Sequence, residues 1–248
     1  MFSKVISLLL VFLPILVHGI LSKEHFVIER KLSGFGFHRD LETNIHMPSK
    51  LCEYLAATGC SLLIFQVLPS GVYADPFQLK SLEMFGFPKV LFDRNVDIEA
   101  AEYVSKPHEI FMYIDLSVYK PDQTTGHLSI EVSMPIHARY HKPLPWQADS
   151  EPRATISLLH PGVYSNCSQS DEHNTLKAPC DVSNSSLCAW SHISYISYSP
   201  QVEMSIPIGQ EWHKPLVVTV TLVTTIVICA LLCKTLISHR DNDIDKTS

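Results

Sequence analysis

Leu128-Ser129-Ile130-Glu131-Val132-Ser133-Met134-Pro135-Ile136-His137-Ala138-Arg139-Tyr140-His141 alternates apolar and polar residues for fourteen positions. A period of two is the pattern of a strand with one buried face, and Pro135, which has no N–H to give a ladder, marks an edge or a bulge. Working outward, the same alternation recurs in Leu41, Thr43, Ile45 and Met47, in Ile110, Met112, Ile114 and Leu116, and in Val202, Met204, Ile206 and Ile208. Ser61 to Leu68 and Ala154 to Leu159 read as more fully buried strands. Many short strands separated by turn residues predict a mainly β, sandwich-like domain. The exception is Asp75 to Gly86, where one short helix is expected. Asp75 caps it, Pro76 takes its first position, Gln78 completes a capping box, Gly86 ends it, and Leu79 and Leu82 pack inward. Residues 141–153 and 163–187 read as loops.

The two ends of the chain set its topology. Lys4, the apolar run from Val5 to Val17, and small Gly19 have the layout of a signal peptide cleaved after residue 19. Leu216 to Cys233 is an uncharged apolar run bracketed by Lys214 and Lys234. At 1.5 Å per residue it reaches roughly 27 Å, which predicts one membrane-spanning helix over 215–236. Lys234, Arg240 and Lys246 follow the run, so the positive-inside rule places 237–248 in the cytosol and 20–214 in the lumen. A lipid-anchor signal ends in its apolar tail, whereas this run is followed by further charged residues, including Asp241, Asp243 and Asp245.

The composition narrows the function. Nineteen basic residues against 25 acidic ones give a net charge of −6, with a pI near 6.1, and no basic cluster suggests a nucleic-acid partner. The expected luminal segment carries Cys52, Cys60, Cys167, Cys180 and Cys188. In an oxidising compartment, two bridges and one free thiol is the simplest arrangement, and the pairing stays open. Asn166-Cys167-Ser168 and Asn184-Ser185-Ser186 are N-glycosylation sequons. Asn184 is the better acceptor, because early pairing of Cys167 competes with glycan transfer at Asn166.

Constellations that imitate chemistry dissolve on inspection. His38-Arg39-Asp40-Leu41 resembles the start of a kinase catalytic loop, but Asn44 arrives one residue too soon and no glycine-rich phosphate loop or DFG accompanies it. His137 and His141 share a strand face, yet four residues of strand span about 13 Å, and Arg139 between them repels a cation. No nucleophile elbow or paired-carboxylate signature stands out. No catalytic residue, cofactor or metal site is therefore expected. In the membrane helix, Thr221, Thr224 and Thr225 fall on one side, where small polar side chains pack against a second helix or bond their own backbone.

Several short stretches together resemble the phosphatidylinositol-glycan biosynthesis class X family, PIG-X. They are Gly36-Phe37-His38-Arg39-Asp40-Leu41, then Leu68-Pro69-Ser70-Gly71-Val72-Tyr73 running into Asp75-Pro76, and Asp97-Ile98-Glu99-Ala100. Pro135-Ile136-His137, Arg139-Tyr140-His141-Lys142-Pro143, Cys188-Ala189-Trp190 and Ile206-Pro207-Ile208-Gly209 follow in the family's order. The resemblance is weakest over 144–187. It implies a non-catalytic accessory subunit of the endoplasmic-reticulum mannosyltransferase that adds the first mannose of a GPI anchor, from dolichol-phosphate-mannose onto glucosaminyl-phosphatidylinositol. It also implies a multi-span catalytic partner of the PIG-M type. His137, Arg139, His141, Thr221, Thr224 and Thr225 are the expected contact residues. The alternative expectation is a single-pass cell-surface receptor or adhesion protein with a β-sandwich ectodomain.

Overall fold

A computed structural model describes residues 25–119, 122, 127–145, 151–167, 174–198 and 201–247. The expected signal peptide lies outside the described residues. The chain divides into two compact units, with boundaries after residues 140, 154 and 206.

The first unit is built on two curled sheets. One has the spatial order Ile196–Ser197 (β12), Val27–Phe35 (β1), His38–Met47 (β2), Leu128–Ala138 (β7), Val72–Tyr73 (β4). The other runs Thr175–Pro179 (β10), Leu187–His192 (β11), Gly162–Ser165 (β9), Leu62–Leu68 (β3), His108–Ile114 (β6), Lys89–Phe92 (β5). Arg153–Leu158 (β8) and Val202–Pro207 (β13) form a two-stranded sheet.

Register in the first sheet follows from the alternation. Met47, Ile45, Thr43 and Leu41 of β2 stand opposite Leu128, Ile130, Val132 and Met134 of β7, and Ile28 of β1 stands opposite Ile45. All of these are buried, so a slip by one residue would turn the whole row to solvent. Arg30 shares the buried row, and its Nη1 donates to the Leu159 carbonyl at 2.6 Å, a carbonyl that Gln66 Nε2 of β3 also reaches at 3.3 Å. Burial lowers the Arg30 pKa to about 10, which leaves it charged at neutral pH.

The second sheet departs from simple alternation. In β6 not only Ile110, Met112 and Ile114 but also Phe111 is buried, and Leu116 falls in a one-turn 3₁₀ helix rather than extending the strand. The reason is a second small core on the other face of the sheet, formed by Leu63, Phe111, Ala178 and Trp190. Strands β9, β10 and β11 supply much of it, so 163–187 is not the loop expected from its composition. Trp190 Nε1 and the Tyr113 hydroxyl both donate to the Pro179 carbonyl, at 3.3 and 3.0 Å, which lets two polar aromatics enter that core. Strand β8, expected to be more fully buried, alternates instead: Ile156 and Leu158 face in, while Thr155 and Ser157 face out.

Among the described residues two helices precede the C-terminal one. Ser49–Ala57 (α1) was not expected; it buries Cys52 and Leu55, and the chain leaves it through Gly59 at φ +65°. Pro76–Leu82 (α2) has the expected start, with Asp75 Oδ1 accepting the Phe77 N–H at 2.8 Å, and Leu79 is buried. A 3₁₀ turn over Glu83–Phe85 continues it to Gly86 at φ +91°. Gln78 does not close a capping box, because its Oε1 lies 2.8 Å from His137 Nε2. Disulfides join Cys60 to Cys167 and Cys180 to Cys188, and Cys52 remains a buried thiol.

In the second unit, Leu144 and Gln210 form a parallel bridge. The Leu144 N–H donates to the Gly209 carbonyl at 2.9 Å, and the Glu211 N–H donates to the Leu144 carbonyl at 3.0 Å. This strap fixes the chain just before the helix Lys214–Thr247 (α3). Glu211–Ile237 is long and apolar enough to cross a membrane; its most apolar 18-residue stretch has a mean hydropathy of 2.7, and none of that stretch is buried. The helix runs on past 236, the end of the expected span.

Candidate functional site: the Arg139 junction

The family-like words between Gly36 and Tyr140 meet at one end of the first sheet, whereas Cys188-Ala189-Trp190 belongs to the second sheet and its small core. Strand register starts the assembly: His38 stands opposite His137, while Val72 and Tyr73 of β4 stand opposite Ala138 and His137. Beyond the last ladder pairs, the Ala138 N–H donates to the Phe37 carbonyl and the Arg139 N–H to the Gly71 carbonyl, each at 2.8 Å. The Glu102 N–H donates to the Tyr140 carbonyl at 3.0 Å, and Ser70 Oγ donates to Glu102 Oε1 at 3.2 Å. Three sequence segments thus close around the exit of β7.

Arg139 is the fastening. Alternation places it in the outward row with Ser133, Pro135 and His137, and its side chain does leave the sheet on that side, over the Tyr73 ring at 4.6 Å. Arg139 is nevertheless only 4% exposed. The cause is the segment Asp97–Ala100, which folds over it. Nη1 donates to the Asp97 and Ala100 carbonyls, both at 2.6 Å, so the cation holds its own cover in place. Burial lowers the Arg139 pKa, opposed by Tyr73 and Asp97. Burial also raises the Tyr73 pKa, with Arg139 pulling it back. Two carbonyls and an aromatic face are a workable substitute for the hydration shell of the guanidinium.

His137 sits beside this fastening, part-buried. Its ring stacks on Tyr73 at 5.1 Å, meets His38 edge-on at 4.6 Å, and bonds Gln78 through Nε2. Burial and then neighbouring His38 lower its pKa, against weaker opposition from Asp75 and Asp40. Around the junction three aromatic rings stay in solvent: Phe35 at 90%, Phe77 at 80% and Tyr140 at 76% exposure, with Tyr140 touching the Phe37 ring at 5.3 Å.

A groove and a smaller cavity are formed by described residues of this unit. The larger, about 940 Å³, is an open groove bordered by Cys60, Met84, Phe87, Tyr113, Leu116 and Val182. The smaller, about 220 Å³, lies directly behind the junction and is lined by Arg94, Asp97, Lys106, His108 and Arg139 among others. Among the described residues no three His, Cys, Asp or Glu side chains gather as metal ligands.

A family model described as PIG-X / PBN1 matches residues 35–237, which contain every segment of the junction. The chain belongs to the PIG-X / PBN1 family. Among its relatives, a human protein named GPI alpha-1,4-mannosyltransferase I, stabilizing subunit, is 32% identical over 218 residues, covering 85% of this chain and 78% of the relative. A rat protein of the same name is 28% identical over 211 residues, covering 82% and 76%. No solved structure matches the chain.

The remaining expected residues of this PIG-X chain are not among the segments that form the junction. Asn184 is exposed at φ +53° in a turn where its N–H meets the Asp181 carbonyl at 3.2 Å. Asn166 spends its Oδ1 on the Ser61 N–H at 2.7 Å, beside bridged Cys167. His141 belongs to the second unit, past the end of β7. In α3 the hydroxyl of Thr224 donates to the Val220 and Thr221 carbonyls, each at 2.9 Å, and that of Thr225 to the Thr221 carbonyl at 2.7 Å. Sequence reasoning missed the buried His108 and the cover segment. Asp97-Ile98-Glu99-Ala100 was visible as a word, but nothing local tied it to Arg139.

Proposed function

We propose that this chain is the non-catalytic stabilising subunit of GPI mannosyltransferase I, the complex that places the first mannose on a GPI-anchor precursor. The observation that carries the reading is the identity shared with the human stabilizing subunit over 85% of the chain. The architecture suits a scaffold. A β unit fastened by a buried arginine offers a rigid face, and the apolar helix has every side chain from Leu216 to Ile237 exposed, so it needs lipid or a second helix to cover it.

In this reading the partner is a multi-span catalytic subunit in the endoplasmic-reticulum membrane, with the β unit luminal. A partner that is bound only when folded is stabilised by mass action. Arg139 acts by positioning. The contacts come from His137 and the aromatic rim of Phe35, Phe77 and Tyr140, because exposed aromatics make strong interface anchors. Thr221, Thr224 and Thr225 supply a small-residue side of the helix, and His141 a contact nearer the strap. Trp212, its Nε1 bonded to Gln210 Oε1 at 2.6 Å, and Lys214 mark the luminal membrane interface. The named relatives are transferase subunits, and no observation favours the receptor alternative.

The test is co-purification of the full chain from its own cells. A multi-span mannosyltransferase should accompany the wild type and be depleted with Phe35→Ser/Tyr140→Ser; equal recovery would contradict the assigned surface. Glycosylation at Asn184 fits its exposure: Asn184→Gln should raise gel mobility, whereas Asn166→Gln should not.

A further inference from the structure

The small cavity behind the junction has a composition that scaffolding does not explain. Its rim carries the exposed cations Arg94 and Lys106, and its inner wall carries buried Arg139 and buried His108. The acidic side chain that lines it is Asp97, whose Oδ1 accepts the Glu99 N–H at 3.0 Å. Arg94 is paired with Asp93 at 2.6 Å, while Lys106 makes no ion pair among the described residues. Three cations therefore face one lining carboxylate, with a second carboxylate bound to Arg94. Cations converging on a concavity concentrate an anion there.

A second observation is independent of charge counting. His108 is 2% exposed, and its Nε2 has no hydrogen-bond partner. Buried polar atoms are normally paired, so an orphan on a cavity wall indicates what is missing from the cavity. The Phe92 ring stacks against it at 6.1 Å. Burial first, then Arg139 and Arg94, opposed by Asp93, lower its pKa to about 4. The neutral imidazole carries one N–H, and with that proton on Nε2 it donates to an oxyanion.

We infer that this cavity, floored by His108 and Arg139 and gated by Arg94 and Lys106, binds a phosphate group. Its volume of about 220 Å³ is too small for a whole drug-sized ligand, which needs roughly 300 Å³ or more. It exceeds several-fold the share of one water, about 30 Å³. A phosphate with one or two short substituents fits between those limits. The guanidinium of Arg139 is already oriented by the Asp97 and Ala100 carbonyls, so binding requires little reorganisation. A bound anion would also tie Lys106 and Arg94 to the cover segment, linking occupancy to the rigidity of the junction. The inference stands apart from the subunit reading, because it concerns the isolated chain.

The experiment is titration calorimetry with the full chain in neutral detergent micelles at constant ionic strength. Inorganic phosphate and dimethyl phosphate are the probes, and chloride is the control. Saturable heat with either phosphate and none with chloride is expected. Stronger binding of dimethyl phosphate points to a lipid-type diester, and stronger binding of inorganic phosphate to a soluble phosphate. The double variant Arg94→Gln/Lys106→Gln, confined to exposed side chains, should keep the thermal midpoint without ligand and bind about tenfold more weakly or worse. Phosphate should also shift the His108 imidazole NMR signals in the wild type. No saturable heat, equal affinity in the double variant, or unmoved His108 signals would overturn the proposal.

Discussion

The outward row that runs along β7 and on to Arg139 leaves the sheet on one side, yet its two halves live in different environments. Ser129, Glu131 and Ser133 are exposed, as an outward row should be, whereas His137 is half-covered by α2 and Arg139 disappears under Asp97–Ala100. Periodicity reports which way a side chain leaves the sheet; it does not report what another part of the chain lays over it. The covered half is where the family-like words between Gly36 and Tyr140 meet, and the uncovered half carries none of them.

The comparison can be broken most directly at Arg139. Arg139→Ala removes two charge-assisted bonds and leaves the Asp97 and Ala100 carbonyls without that donor. It should cost about 3 kcal/mol or more in denaturant unfolding of the full chain in micelles. A cost under about 1 kcal/mol would mean that the cover holds itself.

Acid should act on the same half of the molecule. The folded pKa of His108 lies near 4, below its ordinary value of 6.5, so the unfolded chain binds more protons between those limits. Its contribution is therefore complete above pH 6.5 and is lost as pH falls towards about 4. His108→Gln should flatten that limb of the stability profile, leaving the part due to His137, whose pKa is lowered in the same direction. An unchanged slope would contradict the buried neutral imidazole. Tyr73→Leu, which removes the ring under Arg139, should cost about 1 kcal/mol. Smallest of all, Glu131→Gln on the solvated half should stay within about 0.5 kcal/mol. If these last two were equal, the distinction between the halves would lose its energetic meaning.

Much of the β architecture was legible because buried rows are a local signal: Leu41 to Met47 and Leu128 to Met134 pair in the register their alternation allows. The α2 start was legible too, since Asp75 and Pro76 act on their immediate neighbours. What escaped depends on distance along the chain. The cover reaches Arg139 from about forty residues away. The β10–β11 hairpin hides among polar residues, because its apolar payload, Trp190 and Ala178, joins a core supplied by Leu63 and Phe111. Helix α1 did leave a trace, with Leu51, Cys52 and Leu55 at helical spacing between Pro48 and Gly59, and the strand-rich context obscured it. At the junction the words themselves could be read, while their meeting could not.

The stabilising role can be tested most directly by removing this chain from its cells and measuring the abundance of the multi-span GPI mannosyltransferase I catalytic subunit. The account predicts that abundance falls, returns with the full chain, and returns poorly with Phe35→Ser/Tyr140→Ser. Unchanged abundance in the absence of the chain, or mannose transfer by the purified chain alone, would contradict it.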